Sequence, residues 1–195
     1  MKKVLISGFL PFNNEELNSS LEVLNKLEGN SLYHLEKIIL NVEYYLDGEK
    51  LISKIKEVEP DLIILLGQAG GRRKISFEFI ALNIMDASIE DNHHLQLNHQ
   101  IIKNNGPLAY QTNIDISLIK DIEEVNISYH AGTFICNEIY YRTLDYIYQN
   151  HQPIKCGFIH LPYLKSQIDG KNIPFLELEN ITSKINQIIN RIISE

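Results

Sequence analysis

Residues 61–67 read DLIILLG, and between Asp61 and Gly67 every side chain is a branched aliphatic. A strand with one face in water alternates apolar and polar residues, because successive side chains point to opposite faces. This run is apolar on both, as a central parallel strand covered by helices requires. Outward from it, short apolar runs bounded by turn residues alternate with longer stretches of helical period, the pattern of an α/β domain. Strands are expected at Val4–Phe9, Lys37–Val42, Asp61–Gly67, Ile75–Met85 (whole or broken), Val125–His130 and Lys155–Leu161. Leu51, Ile52, Ile55 and Val58 mark one face of a helix that stops before Pro60. Ile181, Ile185, Ile188, Ile189 and Ile192 form a stripe on a C-terminal helix, most simply core packing. The expected architecture is α/β: a single-domain, three-layer α/β/α sandwich around a twisted, mostly parallel central sheet.

In such sheets ligands gather beyond the carboxyl ends of the strands. That rule singles out GFLPFNN (8–14), GQAGGRR (67–73), HAGTFIC (130–136) and HLPYLKSQ (160–167). The segment Asp91–Tyr110, rich in His and Asn, reads as a long loop of the kind that is often functional.

A chain of 195 residues suffices for one sizeable core, so residues 1–195 are expected to form one domain. With 25 acidic against 18 basic side chains the net charge is −7, and no basic stripe is present, so nucleic acid is not an expected partner. The opening MKKVLISGFLPFNNEE has lysines before an apolar run, as a secretion signal does. Acidic residues follow at once with no small-residue cleavage site, so it reads as the first buried strand. No apolar segment approaches the ~20 residues a membrane helix needs, and no membrane association is expected. Two cysteines, Cys136 and Cys156, do not make a disulfide framework, which points to a reducing cytoplasm.

Cys136 stands where the small residues Ala131-Gly132-Thr133 give way to a helical pattern. In a first helical turn, free N–H groups and the positive end of the dipole favour a thiolate and could receive an oxyanion. The alternative is a buried, inert cysteine, and Cys156 in its apolar strand reads that way. A nucleophilic thiol needs a base and the base an orienting group. His160 closes the strand CGFIH, either as that base or as a satisfied structural histidine. Glu78 lies inside ISFEFIALNIM, where it either faces solvent on an alternating strand or is buried and must be paired. His93, His94 and His99 match none of the compact zinc spacings, and no metal is assigned. GQAGGRR could make a glycine phosphate nest but lacks both Walker and dinucleotide spacing.

Set together, SGFLPFNN, LGQAGGR, ISFEFIALNIMDA, DN at Asp91-Asn92, GPLAY, SYHAGTFICNEIYY and GFIHLPYLKSQ resemble the pyroglutamyl peptidase I (pyrrolidone-carboxylate peptidase) family, in the expected order along nearly the whole chain. The resemblance implies a cysteine peptidase that removes N-terminal pyroglutamate from peptides through an acyl-enzyme, with Cys136 as nucleophile, His160 as base and Glu78 orienting it. It implies no cofactor, a cytoplasmic α/β/α domain and, commonly, a homotetramer. The lactam-holding residues would be Phe9, Phe12, Gln68 and Phe134. Aromatic walls and one or two aimed hydrogen bonds suit a flat neutral ring, and would reject proline for want of the ring carbonyl. Three positions depart from the family pattern: Phe79 and Ser88 stand where arginines are usual, and Ser19 where a proline is usual. The lost arginines admit a second reading, a catalytically weakened lactam-binding or regulatory protein. A nucleoside-phosphorylase relative using GQAGGRR for phosphate is a more distant third.

Overall fold

The run 61–67 becomes β3 (Leu62–Gln68), every residue of it buried up to Gly67. In the computed structural model, which describes residues 1–168 and 170–195, it is flanked by β1 (Lys2–Phe9) and β7 (Lys155–Leu161), parallel to both. Beyond β1 lies β2 (Tyr33–Leu40), also parallel. On the other side β7 pairs with β4 (Ile75–Leu82), which in turn pairs with β5 (Ala109–Gln111) and β6 (Val125–His130). Among the described residues this is one seven-stranded sheet, with a small separate pair formed by β8 (Tyr163–Leu164) and β9 (Phe175–Leu176).

Two helices cover each face. On one, α1 (Ser19–Lys26) and α5 (Leu178–Ile193) pack onto Val4, Ile6, Leu62, Ile64, Leu66, Phe77 and Ile159. The expected α5 stripe, Ile181, Ile185, Ile188, Ile189 and Ile192, is wholly inside that core, because spacings of three and four keep it on one face. On the other face α2 (Leu46–Val58) and α3 (Ile135–Gln149) pack onto Leu5, Ile63, Leu65, Cys156 and Phe158. A short α4 (Lys165–Ile168) follows β8. The α/β/α sandwich is as expected.

Several details differ. β4 runs antiparallel to β7, and β6, parallel to β4, is reversed with it. The segment HAGTFIC therefore does not leave a carboxyl end on the edge shared by β1, β3 and β7. A strand's residue pattern reports which faces are buried and is blind to direction. The fourth strand stops at Leu82, with Met85 making an isolated bridge to Gln100, and Tyr110 belongs to β5 and not to the loop.

Candidate active site

The site is assembled over a glycine. Cys136 is the second residue of α3, whose N-cap is Phe134, so the expected first-turn position holds. Its thiol lies against Gly67 of β3: a Cβ added there would stand 2.9 Å from Sγ and 2.8 Å from the Phe158 ring. Gly67 is the register partner of His160 on β7, and paired residues of neighbouring strands project side by side about 5 Å apart. The missing side chain at 67 thus leaves room for the thiol on the strand that pairs with the one carrying His160. Asn137 bolts this helix start down. Its side chain donates to the Leu82 and Ile84 carbonyls and accepts from the Leu82 N–H, all at 2.8–2.9 Å. Thr133 holds the preceding turn with a 2.6 Å bond from Oγ1 to the Asp86 carbonyl.

His160 is buried, and its Nδ1 lies 2.7 Å from Glu78 Oε1. The carboxylate only accepts, so Nδ1 carries the proton and Nε2 is the nitrogen with a free lone pair. Glu78 has no exposed surface, which decides between its two readings: it is buried and paired. The same Oε1 receives a second bond, from Arg72 Nη1, also at 2.7 Å. Tyr140 of α3 donates to the Glu78 carbonyl, tying the helix that carries the thiol to the strand that carries the acid.

The protonation states follow from this packing. Burial presses the Glu78 carboxyl upward, but the bond and charge of His160, with Ser128 and Arg72, outweigh it and leave Glu78 below its ordinary value, hence ionised. Burial holds His160 below 6.5, against the pull of Glu78, hence neutral near pH 7. Cys136 is half-buried, and desolvation, followed by the charge of Glu78, pushes its thiol up to about 12. The backbone N–H at the helix start pulls the other way and loses. The resting group is therefore a thiol and not the thiolate expected from helix position alone, because burial and a nearby carboxylate exceed one helix terminus.

The four expected ring-binding residues fall unequally. Phe134 and Phe12 face each other with centroids 6.1 Å apart, and Phe9 and Phe12 belong to the same apolar cluster as Cys136. Tyr44, which sequence reasoning did not pick out, packs edge-on to Phe134 at 5.5 Å. Asp91 and Asn92 hold these walls. Asp91 accepts from the backbone of Tyr44, His93 and Leu95, and Asn92 donates to the Pro11 and Asn41 carbonyls. Gln68 follows Gly67, but its Oε1 is already taken by the Ser19 N–H (2.8 Å) and Gln167 Nε2 (2.7 Å). Its remaining donor, Nε2, is only 3.4 Å from Glu15.

Elsewhere, His93, His94 and His99 lie near three different carboxylates, those of Glu43, Glu90 and Asp86, and do not converge. The chemistry of GQAGGRR lies in Arg72, whose guanidinium reaches Glu78. A cleft of about 730 Å³ between α2 and α3, lined by Lys56, Arg142 and Asp145, is separate from the thiol. Among the described residues nothing explains Ser88 or Phe79 in place of an arginine. Ser19 opens α1, where its N–H donates to Gln68. Among the described residues no helix is long and apolar enough to cross a membrane.

A thiol at a helix start against Gly67, an imidazole on the register partner of that glycine and a buried carboxylate on the imidazole Nδ1 are the side-chain types that a cysteine hydrolase on an α/β sheet uses. The chain belongs to the pyroglutamyl peptidase family, whose sequence profile matches residues 2–195. It is 41% identical over 196 residues to a pyrrolidone-carboxylate peptidase of Brachyspira hyodysenteriae, covering 96% of each chain. Pyroglutamyl peptidase I of Bacillus amyloliquefaciens superposes with a TM-score of 0.95 at 35% identity, covering 100% of this chain and 98% of that one. The pyrrolidone carboxyl peptidase of Thermococcus litoralis does so at 0.90 and 32%, covering 100% and 94%.

Proposed function

We propose that residues 1–195 act as one catalytic domain, a cysteine peptidase that removes N-terminal pyroglutamate from peptides. The observation that carries this reading is the 2.7 Å Glu78–His160 bond beside a thiol seated over Gly67. Neutral His160 takes the Cys136 proton through Nε2 as sulfur attacks the pyroglutamyl carbonyl. Because the thiol rests protonated, transfer and attack run together and no thiolate is stored beforehand. Glu78 fixes the tautomer and stabilises the imidazolium as it forms. Free N–H groups of the first turn of α3 receive the oxyanion. His160 then protonates the leaving amine, and water, activated by the same nitrogen, hydrolyses the thioester. Phe9, Phe12 and Phe134 wall the ring, and Gln68 Nε2, held only by a 3.4 Å bond to Glu15, turns one N–H to the lactam carbonyl.

Two free cysteines fit work in a reducing cytoplasm, and the family resemblance favours a homotetramer, for which light scattering should read four chains of 22.5 kDa each. The test of function is release of a fluorogenic amine from a pyroglutamyl amide, with and without iodoacetamide. Turnover that stops as the Cys136 peptide becomes alkylated is expected. Turnover that survives full alkylation of Cys136 would overturn the assignment.

A further inference from the structure

The proposed mechanism uses Cys136, His160 and Glu78 and leaves one close neighbour without a part. Arg72 Nη1 and His160 Nδ1 converge on a single oxygen, Glu78 Oε1, each at 2.7 Å. An arginine on a sheet surface could form a longer ion pair with any acid nearby. Here it reaches a carboxylate with no exposure at all, while about a third of its own side chain stays in contact with solvent.

The loop that carries it is built for that reach. Gly70 lies flat against the ring of Tyr163, where a Cβ would stand 2.3 Å from the nearest ring carbon. Tyr163 is pinned in turn by a 2.6 Å bond from its hydroxyl to Glu15, and the Arg72 N–H closes the turn onto the Ala69 carbonyl. Two motif fragments with no other task, the second half of GQAGGR and the tyrosine of HLPY, therefore have one between them: holding a guanidinium on Glu78.

We infer that Arg72 is a positioning residue of the reaction: by sharing Oε1 of Glu78 with His160, its guanidinium balances the carboxylate so that the imidazole meets the thiol as a proton acceptor. The inference rests on the triad proposed above. A lone buried carboxylate beside an imidazole favours the imidazolium, which cannot accept the thiol proton. A guanidinium on the same oxygen offsets that pull without taking the carboxylate away, and its charge lowers the proton affinity of His160 directly. The charged groups that act on His160 are Glu78 from β4 and Arg72 from the β3–β4 loop; its own strand sets the Phe158 ring against it, α3 brings Tyr140 to the Glu78 carbonyl and Cys136 to Gly67, and Gly67 on β3 adds no charge. Further out, Arg73 and Lys74 of the same loop line a cleft with Ser76 and Ser128 and add positive charge.

The test combines Arg72→Gln with Arg72→Lys. In Arg72→Gln the acid limb of kcat/KM should move up by about 0.5–1 pH unit, so that the loss against wild type approaches about 3–10-fold at pH values well below the limb and disappears toward pH 8.5. In Arg72→Lys the charge is kept and the limb should stay near the wild-type position. An NMR titration of the His160 imidazole in the same proteins reads the shift without any turnover. Acid limb and imidazole titration both unmoved in Arg72→Gln, or moved equally in Arg72→Lys, would overturn the role; a purely structural arginine would lower activity at every pH alike. If wild type proved insensitive to thiol alkylation, the triad would fail, and the imidazole titration would still decide whether Arg72 governs His160.

Discussion

The two faces of the sheet carry different burdens. Against α1 and α5 the sheet offers hydrocarbon: Val4, Ile6, Leu62, Ile64, Leu66, Phe77 and Ile159 meet the isoleucines of α5. Against α2 and α3 the same strands offer Leu5, Ile63, Leu65 and Phe158, and then, where β7 and β4 meet, His160 and Glu78. A fully buried isoleucine contributes roughly 1.5–3 kcal/mol, whereas a buried carboxylate costs stability unless it is paired. The first face holds the fold together; the second accepts a polar expense wherever chemistry needs it. Two cysteines on that second face show how local the expense is. Cys156 is sealed within β7, and burial alone pushes its thiol up, while Cys136, at a helix start over a glycine, keeps some exposure.

Substitutions can separate these burdens. Cys136→Ser should lower kcat/KM by about 10⁴-fold or more with little change in Tm, and Cys156→Ser should leave kcat/KM within about 3-fold. Equal losses in both would erase the contrast between the two thiols. Glu78→Gln should cost about 10³-fold in kcat, since the amide can present the wrong hydrogen-bonding group to Nδ1, and full activity would show that His160 orients itself. On the opposite face, Ile185→Ala should cost about 2–5 kcal/mol in chemical denaturation while kcat/KM at 25 °C changes by less than about 3-fold. A collapse of activity in that still-folded variant would mean that the faces are not separable. Gly67→Ala touches both roles. Its methyl meets Cys136 Sγ and the Phe158 ring, so roughly 1–3 kcal/mol of stability and much of the turnover should go together.

The smallest effect is in pH. As the proposed base His160 would act in its neutral form, and its folded value lies below 6.5, so activity should persist below pH 6.5 before the acid limb falls. The same depressed value, with that of Glu78, gives stability that is present at neutral pH and is lost as pH falls, first near His160 and then below about 4.5 for Glu78. Cys136 has the opposite sign: raised to about 12 from 9.0, its contribution holds below pH 9 and fades above it. Flat stability between pH 7 and 4 would contradict a His160 that is buried in its neutral form.

Much of this was legible in the residues. A doubly apolar DLIILLG cannot sit at a wet edge, and an isoleucine stripe at helical spacing has one place to go. An acid in the middle of ISFEFIAL and a histidine closing CGFIH could be paired only through the family resemblance, because the bond between them joins positions 82 residues apart. Strand reversal at β4 and β6 left no mark, since alternation is the same read in either direction. The state of the thiol is not readable from the sequence, because a helix terminus is a local feature, whereas desolvation and the Glu78 charge are set by tertiary packing. Arg72 is not marked in the sequence for the same reason: GQAGGRR reads as a weak phosphate nest, and only the fold puts the Glu78 carboxylate beside its guanidinium.

The most direct measurement is to mix the enzyme with a pyroglutamyl amide, quench within the first turnover and weigh the peptide that contains Cys136. A thioester-linked pyroglutamyl group on Cys136, formed before steady state and absent from Cys156, is the expected result. Efficient release of pyroglutamate with Cys136 unmodified at every quench time, and undiminished in Cys136→Ser, would contradict it.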